Sequence, residues 1–151
     1  MIHEHLYRSE NLAAVELAAY LASLCQQLFR ALVATPGSIQ LQLDLAPIRL
    51  GIDQAIPCGL LVNELVSNAL KHAFPQGRTG QVRVELQPVE GEPEGRLRVA
   101  DNGVGLPTDF DLNQLTSLGL QLVSGLTRQI GGRLEVGTGP GAVFSVIFRS
   151  S

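Results

Sequence analysis

Residues 60–74, LLVNELVSNALKHAF, decide how the rest of this sequence is interpreted. At about 100° per residue, the stretch predicts an amphipathic helix. Its apolar arc comprises Leu61, Val62, Leu65, Val66, Ala69, Leu70 and Ala73. On the opposite arc Glu64, Asn68 and Lys71 follow at i, i+4 and i+7, so their side chains project from neighbouring turns. A carboxylate, an amide and an ammonium in one row suit a binding site, although a solvated helix face is the ordinary alternative.

Three glycine-rich segments downstream favour the binding site. Residues 101–105, DNGVG, follow an alternating β-type run, and residues 117–120, SLGL, open a second helix. Residues 137–141, GTGPG, precede a final strand. In isolation, Asp-Asn-Gly would be explained as a turn. The order of these segments after residues 60–74 indicates instead that they form one site.

With these segments together, the chain resembles the ATP-binding catalytic domain of sensor histidine kinases. That domain belongs to the GHKL ATPases, with gyrase, the heat-shock chaperones and the mismatch-repair proteins. NELVSNALKHAF resembles the N box, DNGVGLP the first glycine box, SLGLQLV the second and GTGPGAVF the last. The resemblance runs from about residue 39 to residue 149, and IPCGLLVNELVSNALKHAFP is most similar to the HWE-like branch.

The resemblance implies a Mg·ATP site with named roles. Asp101 would accept a hydrogen bond from the adenine amine, and Gly103 and Gly105 would let the backbone approach the purine. Asn68 would bind Mg²⁺, which prefers oxygen ligands and leans on substrate phosphates. Lys71 would reach a phosphate as a point charge, with His72 assisting or merely exposed.

The second glycine box supplies the phosphate end of the implied site. Gly119 and Leu120 would lie near the start of a helix, whose unsatisfied N–H groups attract anions. Residues 106–118 would form a lid over the triphosphate, since loops of this length are often functional. An ordinary surface loop is the alternative.

The last box departs from the family pattern. Thr138 and Gly141 would contact the nucleotide, but Ala142 stands where the family usually carries a threonine near the adenine. Loss of one hydroxyl hydrogen bond predicts ATP binding weaker by roughly 0.5–1.5 kcal/mol unless another group, such as Thr138, compensates.

Glu64 has several candidate roles. In the ATP-hydrolysing relatives, a glutamate one turn before the N-box asparagine activates water. Phosphoryl transfer depends mainly on positioning and charge neutralisation, so a strong base is not required. Glu64 would orient an incoming histidine, bind a Mg²⁺ water or support slow hydrolysis.

Composition limits the other possibilities. A length of 151 residues with 45% hydrophobic content suits one well-buried core. The net charge of −3 and the lack of a basic cluster argue against nucleic acid or an anionic membrane as main partner. No apolar run approaches a membrane span and the first residues do not resemble a signal peptide, so a cytoplasmic location is expected. Cys25 and Cys58 are predicted to be buried free thiols.

The predicted fold is a two-layer α/β sandwich, in the α+β sense, of about three helices on five or six strands in a mixed sheet; the resemblance implies a Bergerat-type ATP-binding fold. A leucine-rich helix is expected after a cap at Ser9 to Asn11, packed on the sheet. The organising helix is expected to begin at Pro57 and to end near Phe74. Further predicted elements are extended pieces or strands at 38–45, 48–52, 81–87, 97–100, 133–136 and 143–149, and a helix at 119–130.

By the same resemblance, residues 1–8 are the tail of a truncated dimerisation and phosphotransfer helix, and residues 9–151 are the catalytic domain. His3 and His5 are therefore poor phosphoacceptor candidates. The implied activity is transfer of the γ-phosphoryl of ATP to a histidine of the kinase's phosphotransfer hairpin, with a response regulator downstream. Dimerisation is expected only with the full-length chain. A nucleotide-sensing or degenerate module, and a GHKL serine kinase or ATPase, remain alternatives.

Overall fold

A computed structural model describes residues 14–35, 37–89, 94–105, 118–138 and 141–149. Within these ranges the chain forms three α-helices and one 3-10 turn, Pro75–Gly77. The helices are α1 Leu17–Leu32, α2 Ile52–His72 and α3 Leu118–Gln129. The strands are β1 Val15–Glu16, β2 Ile39–Leu45, β3 Arg49–Leu50, β4 Gly80–Val89, β5 Glu94–Asp101, β6 Arg133–Thr138 and β7 Ala142–Arg149.

Five of the strands form one mixed sheet in the order β2-β4-β5-β7-β6. Strands β2 and β4 are parallel, and every other neighbouring pair is antiparallel. The short strands β1 and β3 pair separately, with Val15 opposite Leu50. Three helices on a five-stranded mixed sheet confirm the predicted two-layer architecture.

The core lies between α2 and one face of the sheet. Alternate residues of β4, Val82, Val84 and Leu86, are fully buried, as a strand with one covered face requires. The predicted apolar arc of α2 is buried as well, with Leu70 only partly so. Helix α1 packs against α2 and β2, and places Leu17 and Leu21 in the same core. Leu24 and Leu28 pack partly buried against this core, so the leucine stripe of α1 serves packing as predicted, except at Leu32, which is exposed.

The opposite face of the sheet is polar. Asp44, Glu85 and Arg98 stand in one cross-strand row. Arg83 contacts Asp44 at 3.5 Å and Glu85 at 3.0 Å, and Arg98 contacts Glu85 at 3.5 Å. Because these side chains remain partly solvated, each pair contributes at most about 1 kcal/mol. This face is a solvated surface, and the candidate site lies on the other side.

The organising helix begins earlier than the sequence predicts. Helix α2 starts at Ile52, so Pro57 lies inside it and is buried, whereas Pro57 was expected in the first turn. Proline is tolerated best at a helix start, but here the helix extends upstream, where Ala55, two residues before Pro57, is buried. Asp53 supplies the acidic first turn that suits a helix N-terminus.

Two other predicted boundaries are also wrong. Helix α1 begins at Leu17, where the Glu16 carboxylate accepts a hydrogen bond from the backbone N–H of Ala18 at 3.4 Å. The cap expected at residues 9–11, the tail at 1–8 and both of its histidines lie outside the described residues. The extended piece expected at 48–52 is limited to β3 because Ile52 already belongs to α2.

Both cysteines are free and buried, Cys25 on α1 and Cys58 on α2. Burial raises the pKa of each thiol to about 12. The prediction of two buried free thiols is confirmed. None of the helices in the described ranges is long and apolar enough to cross a membrane.

Candidate functional site

A cavity of about 370 Å³ opens between α2, the ends of β5 and β7, and the start of α3. Its volume suits a small-molecule ligand. The described residues that line it come from both layers of the fold. They are Glu64, Leu65, Asn68, Ala69, His72, Ala73, Val99, Asp101, Gly105, Gly119, Leu120, Ala142 and Phe144.

The polar row on α2 reaches the cavity in a different register from the predicted one. Glu64, Asn68 and His72, at i, i+4 and i+8, line the cavity, whereas Lys71 is exposed and is not among the described lining residues. Relative to Glu64, Asn68 lies about 40° and His72 about 80° around the helix, and Lys71 about 20° in the opposite sense. The cavity faces the Asn68 side, so the helix turns Lys71 away from it.

Asp101 is the last residue of β5 and is 9% exposed. Its Oδ1 accepts hydrogen bonds from the backbone N–H of Gly103 at 2.9 Å and of Ala142 at 3.3 Å. The first bond closes a turn within the DNG segment, and the second ties β5 to the start of β7. Both of these bonds to the carboxylate go to Oδ1, which leaves Oδ2 for a donor in the cavity.

Glycines allow close packing at this carboxylate and at the turn that follows it. A Cβ on Gly141 would collide with the carbonyl and carboxylate oxygens of Asp101. A Cβ on Gly103 would collide with the carbonyl of Ala73, which accepts from the N–H of Val104 at 2.9 Å. Gly103 therefore packs against the end of α2, and it is not one of the described cavity residues. Gly105 lines the cavity with φ of +79°, a conformation that glycine adopts without strain.

The start of α3 lies directly against the polar row of α2. Gly119, the second residue of α3, has no Cβ, and a Cβ placed there would collide with Glu64 Oε2. This Cβ would lie 3.2 Å from Glu64 Cδ and 3.4 Å from Asn68 Nδ2. The described start of α3 thus faces Glu64 and Asn68. Leu120 lines the same end of the cavity.

The last glycine box contributes backbone more than side chains. Ala142 is buried and lines the cavity, and its N–H holds Asp101. Thr138 pairs with Ala142 across β6 and β7, but its side chain lies outside the described part. The predicted lid at 106–118 lies outside it too, apart from the backbone of Leu118.

Apolar residues complete the cavity, and the sequence interpretation did not assign them to the site. Val99 and Phe144 lie opposite each other on β5 and β7, and the cavity is completed by Leu65 and Ala69 on α2 and by Ala73 directly after it. The period of two along β5 is a signal that would have found Val99, because it shares a face with Asp101. These residues give the cavity an apolar lining around one fixed carboxylate, which suits a flat heterocycle with an exocyclic donor.

Comparisons with known proteins agree with this geometry. Residues 53–151 match the family described as histidine kinase-, DNA gyrase B-, and HSP90-like ATPase. Residues 1–32 match a histidine kinase family. The histidine kinase domain of the blue-light activated histidine kinase EL346 from Erythrobacter litoralis superposes with a TM-score of 0.80 at 29% identity, covering 90% of this chain and 62% of that one.

Two relatives in sequence carry the same type of name. Blue-light-activated histidine kinase 2 of Erythrobacter litoralis is 30% identical over 125 residues, which is 83% of this chain and 35% of that protein. Sensor histidine kinase PdtaS of Mycolicibacterium smegmatis is 34% identical over 101 residues, 66% of this chain and 20% of that protein. The chain thus spans about a third or less of the length of these relatives.

Proposed function

This chain belongs to the histidine kinase-, DNA gyrase B-, and HSP90-like ATPase family, and from that membership we propose how its cavity is used. ATP is the nucleotide that the family membership implies. The chain is proposed to be the ATP-binding catalytic domain of a two-component sensor kinase, delivering the γ-phosphoryl group to a histidine on a phosphotransfer hairpin. The histidine kinase match at residues 1–32 supports this choice within the family.

Asp101 is proposed to recognise adenine. Two backbone N–H groups orient its Oδ1, and its Oδ2, for which the described residues show no hydrogen bond, would accept from the exocyclic amine of the base. A buried carboxylate that is already oriented loses little freedom when the ligand binds. The surrounding Val99 and Phe144 would cover the faces of the base. This oriented carboxylate in an apolar cavity is the observation that carries the proposal.

Asn68 is proposed to hold Mg²⁺ together with the phosphates. The described residues contain no cluster of three or more His, Cys, Asp or Glu that would bind a metal alone. Mg²⁺ fits such a site because it keeps several waters and takes further oxygen ligands from the phosphates of the nucleotide. When bound, the ion would neutralise charge on the transferring phosphoryl group. Asn68 would fix its position beside the first turn of α3, and His72 would stand at the opening.

Some of the remaining residues are proposed to act directly on the nucleotide and others indirectly. They are Lys71, Thr138, Gly103 and Gly141. Lys71 would reach a phosphate only from outside the described lining, as a long flexible cation. Gly141 would act indirectly, by leaving room for the Asp101 carboxylate, and Gly103 by seating the DNG turn on α2. Thr138 would contact the nucleotide near Ala142.

The cellular setting follows from the proposed activity. Partners would be the hairpin of the same kinase and a downstream response regulator, and dimerisation would require the full-length chain. We propose a cytoplasmic location, where ATP and the regulator are available. Nucleic acid and membrane contact are not expected of this segment, given a net charge of −3.

Calorimetric titration with ATP and Mg²⁺ tests the proposal. Wild-type chain should bind, and Asp101→Asn, which replaces an acceptor oxygen by a donor, should weaken ATP binding at least tenfold. Asp44→Asn, an exposed carboxylate on the far face of the sheet, is the matched control and should bind like wild type. Equal ATP affinity in Asp101→Asn and wild type would refute the adenine role.

A further inference from the structure

The side chain of Asn102 completes the ladder between β4 and β5 at the point where the main chain leaves the sheet. Asp101 is the last residue of β5 and pairs with Val82. One position further, the main-chain N–H of Asn102 donates to the carbonyl of Gln81 at 3.3 Å. The reciprocal donor, the N–H of Gln81, bonds to the side-chain Oδ1 of Asn102 at 2.8 Å. The side-chain amide oxygen therefore takes the place of a strand carbonyl.

This exchange of acceptors lets the main chain turn directly after Asp101. In a strand that continued, the next carbonyl would point at β4 and hold the backbone in the sheet. Here the chain turns towards the end of α2, where the N–H of Val104 donates to the carbonyl of Ala73 at 2.9 Å. The same turn brings the N–H of Gly103 to 2.9 Å from Asp101 Oδ1. The orientation of the carboxylate therefore depends on where the strand ends.

Gly80 makes room for the Asn102 side chain. A Cβ on Gly80 would collide with Asn102 Oδ1 and with the ring of Phe74, which is buried two residues after the end of α2. The N–H of Gly80 donates to the carbonyl of Ser38 at 3.1 Å, directly before β2. The Asn102 side chain is thus attached to a part of β4 that both α2 and the neighbouring strand hold in place.

We infer that Asn102 is a positioning residue for the Asp101 carboxylate, and this inference rests on the proposed ATP-binding function. Asn102 is exposed and is not among the described residues that line the cavity, so it acts through its neighbours. By holding β4 while the main chain turns, Asn102 keeps the N–H of Gly103 on Oδ1 and Oδ2 aimed at the exocyclic amine of the base. A looser turn would let the carboxylate rotate, and its orientation would have to be fixed again at each binding event.

Amide hydrogen exchange of the nucleotide-free chain tests the positioning directly. Asn102→Ala removes the acceptor, so the N–H groups of Gln81 and Gly103 should both exchange severalfold faster than in wild type. Asn102→Asp keeps an acceptor oxygen at the same place, and its added charge stays solvated because the side chain is exposed. Exchange at Gly103 should therefore return to the wild-type rate. Faster exchange at Gln81 alone would show that Asn102 only caps β4, and would overturn the inference.

Nucleotide selectivity tests the consequence for the site. Calorimetry in excess Mg²⁺ would compare ATP with purine riboside triphosphate, which lacks the exocyclic amine. Wild type should prefer ATP, and Asn102→Ala should lower that preference about fivefold, as expected when one hydrogen bond is lost. Asn102→Asp should retain the wild-type preference. The ratio of the two affinities is compared because partial unfolding of a variant weakens the binding of both nucleotides alike.

Gln87→Ala is the matched control. It removes another hydrogen bond between a side chain and the main chain, near the far end of β4, where Gln87 Nε2 donates to the carbonyl of Asp44 at 3.3 Å. Its preference for ATP should equal that of wild type. An undiminished preference in Asn102→Ala would overturn the inference. Failure of wild type to bind ATP would instead overturn the proposed function, on which the hydrogen-exchange result does not depend.

Discussion

At the residue scale, Ala142 shows how a main-chain group can matter where the side chain has been lost. Its N–H holds the Asp101 carboxylate, a role that any residue except proline performs. Its methyl group lines the cavity, where the resembled family usually places a threonine hydroxyl. Alanine in place of threonine therefore removes a polar contact and leaves the strand undisturbed.

Ala142→Thr should strengthen ATP binding. A hydroxyl at this position would add one hydrogen bond beside the Asp101 carboxylate. That bond would be worth roughly 0.5–1.5 kcal/mol, or about two- to twelvefold in affinity. Val143→Thr is the control, since Val143 neighbours Ala142 on β7 but points to the other face of the sheet. Calorimetry with Mg·ATP measures both. An affinity of Ala142→Thr equal to or weaker than wild type would contradict the assignment.

At the element scale, the junction between α2 and the DNG segment depends on a missing side chain. Gly103 lies against the carbonyl of Ala73, one residue after α2 ends, and the N–H of Val104 bonds to the same carbonyl. This junction fixes where Asp101 stands relative to the polar row of α2. The distance between the proposed adenine and metal positions is therefore set by backbone packing.

Gly103→Ala should destabilise the fold by roughly 1–3 kcal/mol, because the added methyl group collides with main-chain atoms that cannot rotate away. Gly125→Ala is the matched control in α3, where a Cβ meets nothing within 4 Å. That change should stabilise by about 0.5–1 kcal/mol through helix propensity. Urea unfolding measures both. An unchanged free energy of unfolding in Gly103→Ala would mean that the DNG segment moves aside to accommodate the methyl group.

Periodicity predicted the faces of α2 well, and its limits are physical. Helical spacing identified the buried arc, because burial on one side of a helix repeats every 3.6 residues. It did not separate Lys71 from His72, since the choice depends on which side of the polar arc the start of α3 packs against. The tolerance of proline in a first helical turn wrongly placed Pro57 there, because that local rule takes no account of the burial of Ala55 in the core.

At the scale of the whole molecule, the segments of the site were predictable and their geometry was not. The N box and the three glycine boxes carry local signals. The structure brings described parts of each together around one cavity. The contact between Gly119 and Glu64, and the N–H of Ala142 on Asp101, join residues far apart in the chain. Such contacts follow from sheet order, which local patterns leave open.

The buried thiols make the stability of the whole fold depend on pH. Burial raises the pKa of Cys25 and Cys58 from 9.0 to about 12. The thiols of the unfolded chain ionise first, so this stability is fully present below about pH 9 and is lost as pH rises towards 12. The loss should be up to about 1.4 kcal/mol per thiol and pH unit in that window.

Urea unfolding at pH 8 and pH 10 measures this loss in wild type and in Cys25→Ala and Cys58→Ala. Each variant starts from lower stability because it leaves a cavity, so the compared quantity is the change with pH. That change should be smaller in each variant than in wild type, since all other ionisable groups are common to the three proteins. Equal changes would contradict the assignment of the effect to the thiols.

The parallel pairing of β2 with β4 has a consequence for the order of folding. Strands β4 and β5, like β6 and β7, adjoin in sequence and pair as antiparallel neighbours, so each pair closes a short loop. Ile39 pairs with Gly80 only after all of α2 has been spanned, and closing so long a loop is slow. The cavity needs α2 seated on β5 and β7, so it exists only late in folding. Nucleotide should therefore prolong the lifetime of the folded chain by slowing unfolding, and leave the rate of refolding almost unchanged.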